Sequence, residues 1–189
     1  MSRWFTADLH LGHQRMIELA NRPFISAEEM DDAIIGNWNK QVSVRDTVYV
    51  LGDFAMKDHT PYLQRLKGEK ILVLGNHDHS RLVKKASGWA AVDRMVILKK
   101  LDMLPITLCH YAMRTWNMSH YGALHFFGHS HGNLQGDSQS CDVGVDCWGF
   151  VPVSLDQVKE RMQAFPRRIE PDHHQPHDAN RNPLSAVRH

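Results

Sequence analysis

The sequence predicts a layered α/β fold, and three observations carry that prediction. Short apolar runs recur at strand length. Segments with a helical apolar period separate several of them. Run after run ends in a small polar cluster. Strand ends in such a fold gather along one rim, where loops can converge on a ligand.

Taken in order, residues 3–7 read as a strand, with Trp4 and Phe5 supplying β-propensity, and residues 14–20 as a short helix. Residues 26–42 form an amphipathic helix: Ser26 and Glu29 are spaced as a capping box, and Met30, Ala33, Ile34, Trp38 and Gln41 follow a mostly apolar stripe. "TVYVLGD" (47–53) is an apolar run ending in Gly-Asp, and "KILVLGNHD" (70–78) is another; helices are expected at 61–66 and 81–86. Four short strands follow at 94–98, 105–109, 123–127 and 141–145. Ser154 and Gln157 form a second capping box, opening a last helix that runs to about residue 165. From Pro166 to His189 the chain is polar, proline-bearing and without periodicity, so one domain is expected at 1–165 and a flexible tail at 166–189.

The chain has 189 residues, 42% of them hydrophobic, with a net charge of +1 and a pI near 7.9. That balance gives no general drive toward nucleic acid, although a local basic patch is compatible with it. No apolar run reaches the roughly 20 residues of a membrane span, and the N-terminus does not read as a signal peptide. The three cysteines form no CxxC pair, so a reducing cytoplasm is expected. Histidine is abundant at 14. His173, His174, His177 and His189 belong to the tail, and five of the other ten sit in short motifs.

Those motifs are Asp8-Leu9-His10, Gly52-Asp53, Gly75-Asn76-His77-Asp78, Cys109-His110 and Gly128-His129-Ser130-His131. Asp, His and Asn side chains together suit Mn²⁺, Fe, Zn²⁺ or Ni²⁺ rather than Ca²⁺. Asp8 and His10 alternate, as do His129 and His131, so each pair is expected on one face of an extended segment. With Asp53, Asn76 and His110 they supply enough donors for two metals, which would clamp a phosphate and activate a water for in-line attack.

This ordered set resembles the calcineurin-like metallophosphoesterases, particularly their small stand-alone bacterial and phage members, whose first motif also reads Asp-x-His-x-Gly-His. The resemblance implies a four-layer αββα sandwich, two mixed β-sheets face to face with helices outside. It implies that Asp8, His10 and His131 hold one divalent ion and Asn76, His110 and His129 the other, with Asp53 bridging. Mn²⁺ is the first expectation for both ions, with Fe, Ni²⁺ and Zn²⁺ as alternatives. It further implies that His77 is the general acid and that Asp78 orients His77 through a hydrogen bond. "GDFAMKD" and "GNHDH" depart from the Gly-Asp-x-x-Asp-Arg-Gly and Gly-Asn-His-Glu of phosphoprotein phosphatases, which argues against a Ser/Thr protein phosphatase.

The expected substrate is therefore a small phosphodiester or phosphomonoester, a nucleotide among them. A single-strand nuclease and a metal-binding module without catalysis are the alternatives. His13, Arg114 and His120 are candidate substrate contacts by proximity and residue type. Trp116 offers a ring for base stacking but fits packing better. Asp142 and Asp146 fit turn or supporting roles, and His59, His79 and His125 read as structural.

Overall fold

The computed structural model describes residues 1–99 and 101–169. Its first half alternates strands and helices: β1 (Arg3–Thr6), α1 (Gln14–Leu19), α2 (Ala27–Gln41), β2 (Thr47–Val50), α3 (Thr60–Arg65), β3 (Glu69–Val73), α4 (Ser80–Lys85) and β4 (Trp89–Asp93). The second half is strand-rich: β5 (Val96–Leu98), β6 (Ile106–Leu108), β7 (Leu124–Phe127), β8 (Ser140–Asp142) and β9 (Val153–Ser154), closed by α5 (Leu155–Gln163).

The strands form two mixed sheets, in the orders β4-β3-β2-β1-β9 and β5-β6-β7-β8. β1 to β4 pair in parallel and β9 runs antiparallel to β1. In the second sheet β5 is antiparallel to β6, while β6, β7 and β8 are parallel. Alternation along the strands sorts the core into two layers. Phe5, Tyr49, Leu51 and Val73 meet Ile106, Leu108, Phe126 and Cys141 between the sheets, with Val158 and Met162 of α5. Val48, Val50 and Leu72 point the other way, onto Ile34 and Trp38 of α2, Leu63 of α3 and Val83 of α4. The predicted sandwich of two mixed sheets with helices outside is therefore the observed architecture.

Its helical cover is uneven. The outer side of the second sheet carries Thr107 and His125, both buried, beneath the segment that follows His110. His125 Nδ1 meets the Thr107 carbonyl at 3.0 Å, its Nε2 accepts from the Met113 N–H at 3.1 Å, and its ring lies 5.1 Å from Trp116. Trp116 is buried and donates its indole N–H to the Ala123 carbonyl at 2.8 Å, so it packs against the domain and presents no stacking platform.

Two short strands lie outside the sequence expectations. β4 is an edge strand with four exposed residues and no alternating pattern, and β9 is only two residues long. Of the two capping boxes, that of α5 is complete, with Ser154 and Gln157 bonding reciprocally. At α2 Ser26 Oγ accepts from the Glu29 N–H, but the Glu29 carboxylate turns one residue further back, to the N–H of Ile25.

The expected flexible tail at 166–189 needs a correction at its start. The Pro166 carbonyl accepts from the Ser138 N–H, Arg168 N–H donates to Ser138 Oγ, and the Arg168 guanidinium pairs with Asp137 and lies over Trp116. The chain is thus tied to the domain through Arg168. Residues 170–189, with their four histidines, lie outside the described residues.

Candidate metal centre

The polar clusters meet at one rim because β1, β2 and β3 are parallel neighbours and β6 and β7 are parallel neighbours in the facing sheet. Beyond their strands the first two loops remain zipped: Asp8 N–H donates to the Gly52 carbonyl at 3.0 Å and His10 N–H to that of Asp53 at 2.9 Å. Two groups of side chains result, Asp8 with His10 and His131, and Asp53 with His110 and His129. Within each group the donor atoms lie within 4.8 Å of one another. Asp53 Oδ2 stands 3.6 Å from His10 Nε2 and also 3.6 Å from His110 Nε2, so it lies between the groups.

The backbone at these positions is unusual. Asp8, His10, Asp53, His129 and His131 all have left-handed φ, between 47° and 68°. Such a conformation is uncommon for a side-chain-bearing residue and concentrates at functional sites. It also replaces the expected extended alternation: each pair turns at every second residue, and His129 and His131 go to different groups. Room for this is made by glycine. A Cβ on Gly52, itself at φ 90°, would press into His110 Nδ1, and one on Gly128 would come within 2.7 Å of Asp8 Oδ2.

The protonation pattern suits a cation. His110 Nδ1 lies 2.7 Å from the Leu51 carbonyl, which takes its N–H. In the neutral ring Nε2 is then an acceptor, yet it faces Asn76 Oδ1 at 3.0 Å and Asp53 Oδ2. Lone pairs converging in this way call for a positive charge between them. His131 Nδ1 likewise lies 2.7 Å from Asp146 Oδ2, so that in the neutral ring Nε2 carries the lone pair. His10 is buried, and neither of its ring nitrogens has a hydrogen-bond partner. Burial, followed by the charges of Arg22, His131, His77 and His13, lowers its pKa to about 2, so it stays in the neutral form that metals require. Asp8 is pushed well above the usual carboxylate range by burial and by Asp142 and Asp53, against the His129 N–H that its oxygens accept at 2.8 and 3.0 Å. A bound cation would relieve that repulsion. The donor set therefore fits two divalent transition-metal ions.

His77 and His13 flank this cluster. The ring of the half-buried His77 lies 5.3 Å from that of His10, and the His77 backbone N–H donates to Asp53 Oδ1 at 2.8 Å. The His13 ring lies 5.6 Å from His10 and 6.4 Å from His77, with Nδ1 buried and unpaired. Asp31 holds the loop before it by accepting from the Gly12 N–H with both oxygens, at 2.9 and 3.0 Å.

Asp78 is not where the sequence suggested. Its carboxylate accepts from three backbone N–H groups, those of Asp53 (2.9 Å), Phe54 (3.0 Å) and Gly75 (2.8 Å), and it braces the Asp53 turn rather than orienting His77. Adjacent residues in a turn point apart, and the N–H groups of the neighbouring loop were the stronger claimants. Arg114 and His120 lie in the segment covering the second sheet. The Arg114 carbonyl receives the Arg168 guanidinium, and the His120 ring packs on Tyr121 at 4.1 Å. The geometry that brings His13 to the cluster does not single out these two.

Some residues had no sequence signal. Arg22, a lone arginine after a short helix, contacts the Asp8 turn and Asp146. Tyr111 is 46% exposed and sets its ring 4.9 Å from both His110 and His129. Asp142, by contrast, takes the turn or supporting role expected of it and of Asp146, accepting from Ser130 Oγ and from the N–H groups of Gly132 and Gly144.

No family model matches the chain. It is 28% identical over 172 residues to an uncharacterized protein of Methanocaldococcus jannaschii, the match covering 85% of this chain and 90% of that one. It is 26% identical to the gene 66 protein of Mycobacterium phage L5, covering 82% of this chain and 91% of the other. Among solved structures it resembles a protein of unknown function from Aquifex aeolicus, at 24% identity with a TM-score of 0.68, covering 85% of this chain and 98% of that one. That likeness is one of fold.

Proposed function

We propose that this chain is a metal-dependent phosphoesterase acting on a small phosphodiester or phosphomonoester, a nucleotide among the candidates. The observation that carries the reading is the convergence of two Asp/His groups around Asp53, with both nitrogens of buried His10 left without a protein partner. Asp8, His10 and His131 would hold one divalent ion. His110, His129 and Asn76 would hold the other, with Asp53 serving both and Mn²⁺ the first expectation. Bound there, such a pair supplies Lewis-acid polarisation of a phosphate and an activated water.

The chain's own residues would do the rest. Asp8 and Asp53 would offset part of the charge of such ions and leave the pair able to attract an anionic ester. His77 stands beside His10, where its ring would donate a proton to the leaving oxygen as the P–O bond breaks. His13, next to both rings, would offer a hydrogen bond to a phosphate oxygen.

The test is metal content together with turnover of an aryl phosphodiester, an aryl phosphomonoester and a set of nucleotides in Mn²⁺. Bound metal with chelator-sensitive hydrolysis is expected. Two bound ions without hydrolysis of any ester would instead favour a non-catalytic metal-binding module. His77→Ala should lose about 10²–10⁴ in kcat on an alkoxide leaving group and much less on nitrophenolate. Equal losses on both would remove His77 from the role of acid.

A further inference from the structure

Arg22 takes no part in the chemistry above, yet few side chains in the molecule are held by as many partners. Helix α1 ends in a Schellman turn. Asn21 is left-handed at φ 49°, its N–H donates to the Glu18 carbonyl at 3.3 Å, and Arg22 N–H donates to that of Ile17 at 2.8 Å. This turn sends the Arg22 side chain inward, where the residue is only 4% exposed. Nη2 donates to the Asp8 carbonyl at 2.7 Å and Nη1 to that of Leu9 at 3.0 Å. Nε and Nη2 grip Asp146 Oδ1 and Oδ2, each at 2.8 Å. Asp146 Oδ2 in turn accepts from His131 Nδ1. Burial alone would raise the Asp146 pKa, but the bonds from His131 and Arg22 hold it below the usual range.

We infer that Arg22 is the positioning residue of the Asp8–His10–His131 group. One guanidinium fixes the left-handed turn that aims Asp8 and His10 and, through Asp146, fixes the ring of His131. This rests on the proposed function, since it concerns a metal that those residues would hold. The planar fork matters as much as the charge: it reaches two carbonyls and both oxygens of a carboxylate at once, whereas lysine offers three donors from a single nitrogen. A buried cation beside a metal group would repel the metal were it not neutralised, and Asp146 neutralises it. The Asp53–His110–His129 group is braced differently, by Asp78 and the Leu51 carbonyl. The influence of Arg22 should therefore be one-sided.

The experiment is calorimetric titration of the full chain with Mn²⁺, for the wild type, Arg22→Lys and Asp146→Asn. Wild-type protein should take up two ions. Each variant should weaken one ion by roughly 10- to 100-fold, the usual effect of removing an outer hydrogen-bond partner, and leave the other unchanged. Histidine ring NMR with Co²⁺ as paramagnetic probe should place the loss at His10 and His131, with His110 and His129 retaining their shifts. Asp146→Asn keeps the arginine contacts to the Asp8 turn, so it supplies the answer if Arg22→Lys does not fold. Wild-type protein with two ions and variants that lose both equally, or neither, overturn this inference alone. Wild-type protein that takes up no ion overturns the proposed function and this inference with it.

Discussion

Asp8 and Asp53 follow neighbouring parallel strands and turn left-handed at the same level, at φ 57° and 55°, yet the two are supported in different ways. The Asp8 turn is held by a buried arginine from the end of α1 and by its ion pair with Asp146, 124 residues further along the chain. The Asp53 turn is held by Asp78, only 25 residues away at the end of the adjacent strand. The Asp8 turn thus needs a helix and a C-terminal turn to dock, whereas the Asp53 turn needs only β2 and β3 to pair. One turn is braced by long-range tertiary structure and the other by the sheet itself, although His110 and His129 reach Asp53 from the facing sheet.

That contrast can be broken by experiment. The largest effect should come from Asp53→Asn, which acts on both halves. Activity should fall by more than the roughly 100-fold upper end for an outer partner, with metal content reduced at both groups in elemental analysis. A variant that keeps both ions and full turnover would remove Asp53 from the centre. Next comes Asp78→Asn. It leaves buried N–H donors short of acceptors, at a cost of about 1–3 kcal/mol in denaturant unfolding. Its effect on metal affinity should fall on the second group, the reverse of the Arg22 variants, and a loss at the first group would erase the distinction between the halves. Smallest is Ser154→Ala at the cap of α5, expected to cost about 1 kcal/mol of stability and to leave both ions unchanged.

Much of the frame could be read in the sequence because its signals are local. The Ser154–Gln157 box, the stripe of α2 and the apolar runs of β2 and β3 lie where expected, since each needs only its own neighbours to be recognised. The pair of mixed sheets is expected from the resemblance of the motifs, and the gathering of Asp8, His10, Asp53, His110, His129 and His131 from the rule that strand ends share a rim. What escaped depends on tertiary contact. β4 is exposed and unpatterned, so only its pairing with β3 defines it. Asp78 lies beside His77 in sequence but faces the neighbouring loop. Arg22 carries no motif, and its function as a brace appears only once Asp146 arrives from the far end of the chain. Trp116 shows the converse, an aromatic read from the sequence as better suited to packing, which the fold buries.

The left-handed turns at five of the proposed ligands have a consequence for how the protein matures. Each costs about 1–3 kcal/mol relative to relaxed backbone, and the strands behind them are held by their own ladders, not through these side chains. Loading and ordering of the rim should therefore be a single event that leaves the core untouched. In hydrogen exchange, chelated protein should show fast amides at residues 8–10, 53 and 129–131 beside slow amides in β1, β2 and β7, and Mn²⁺ should close that gap from the rim inward.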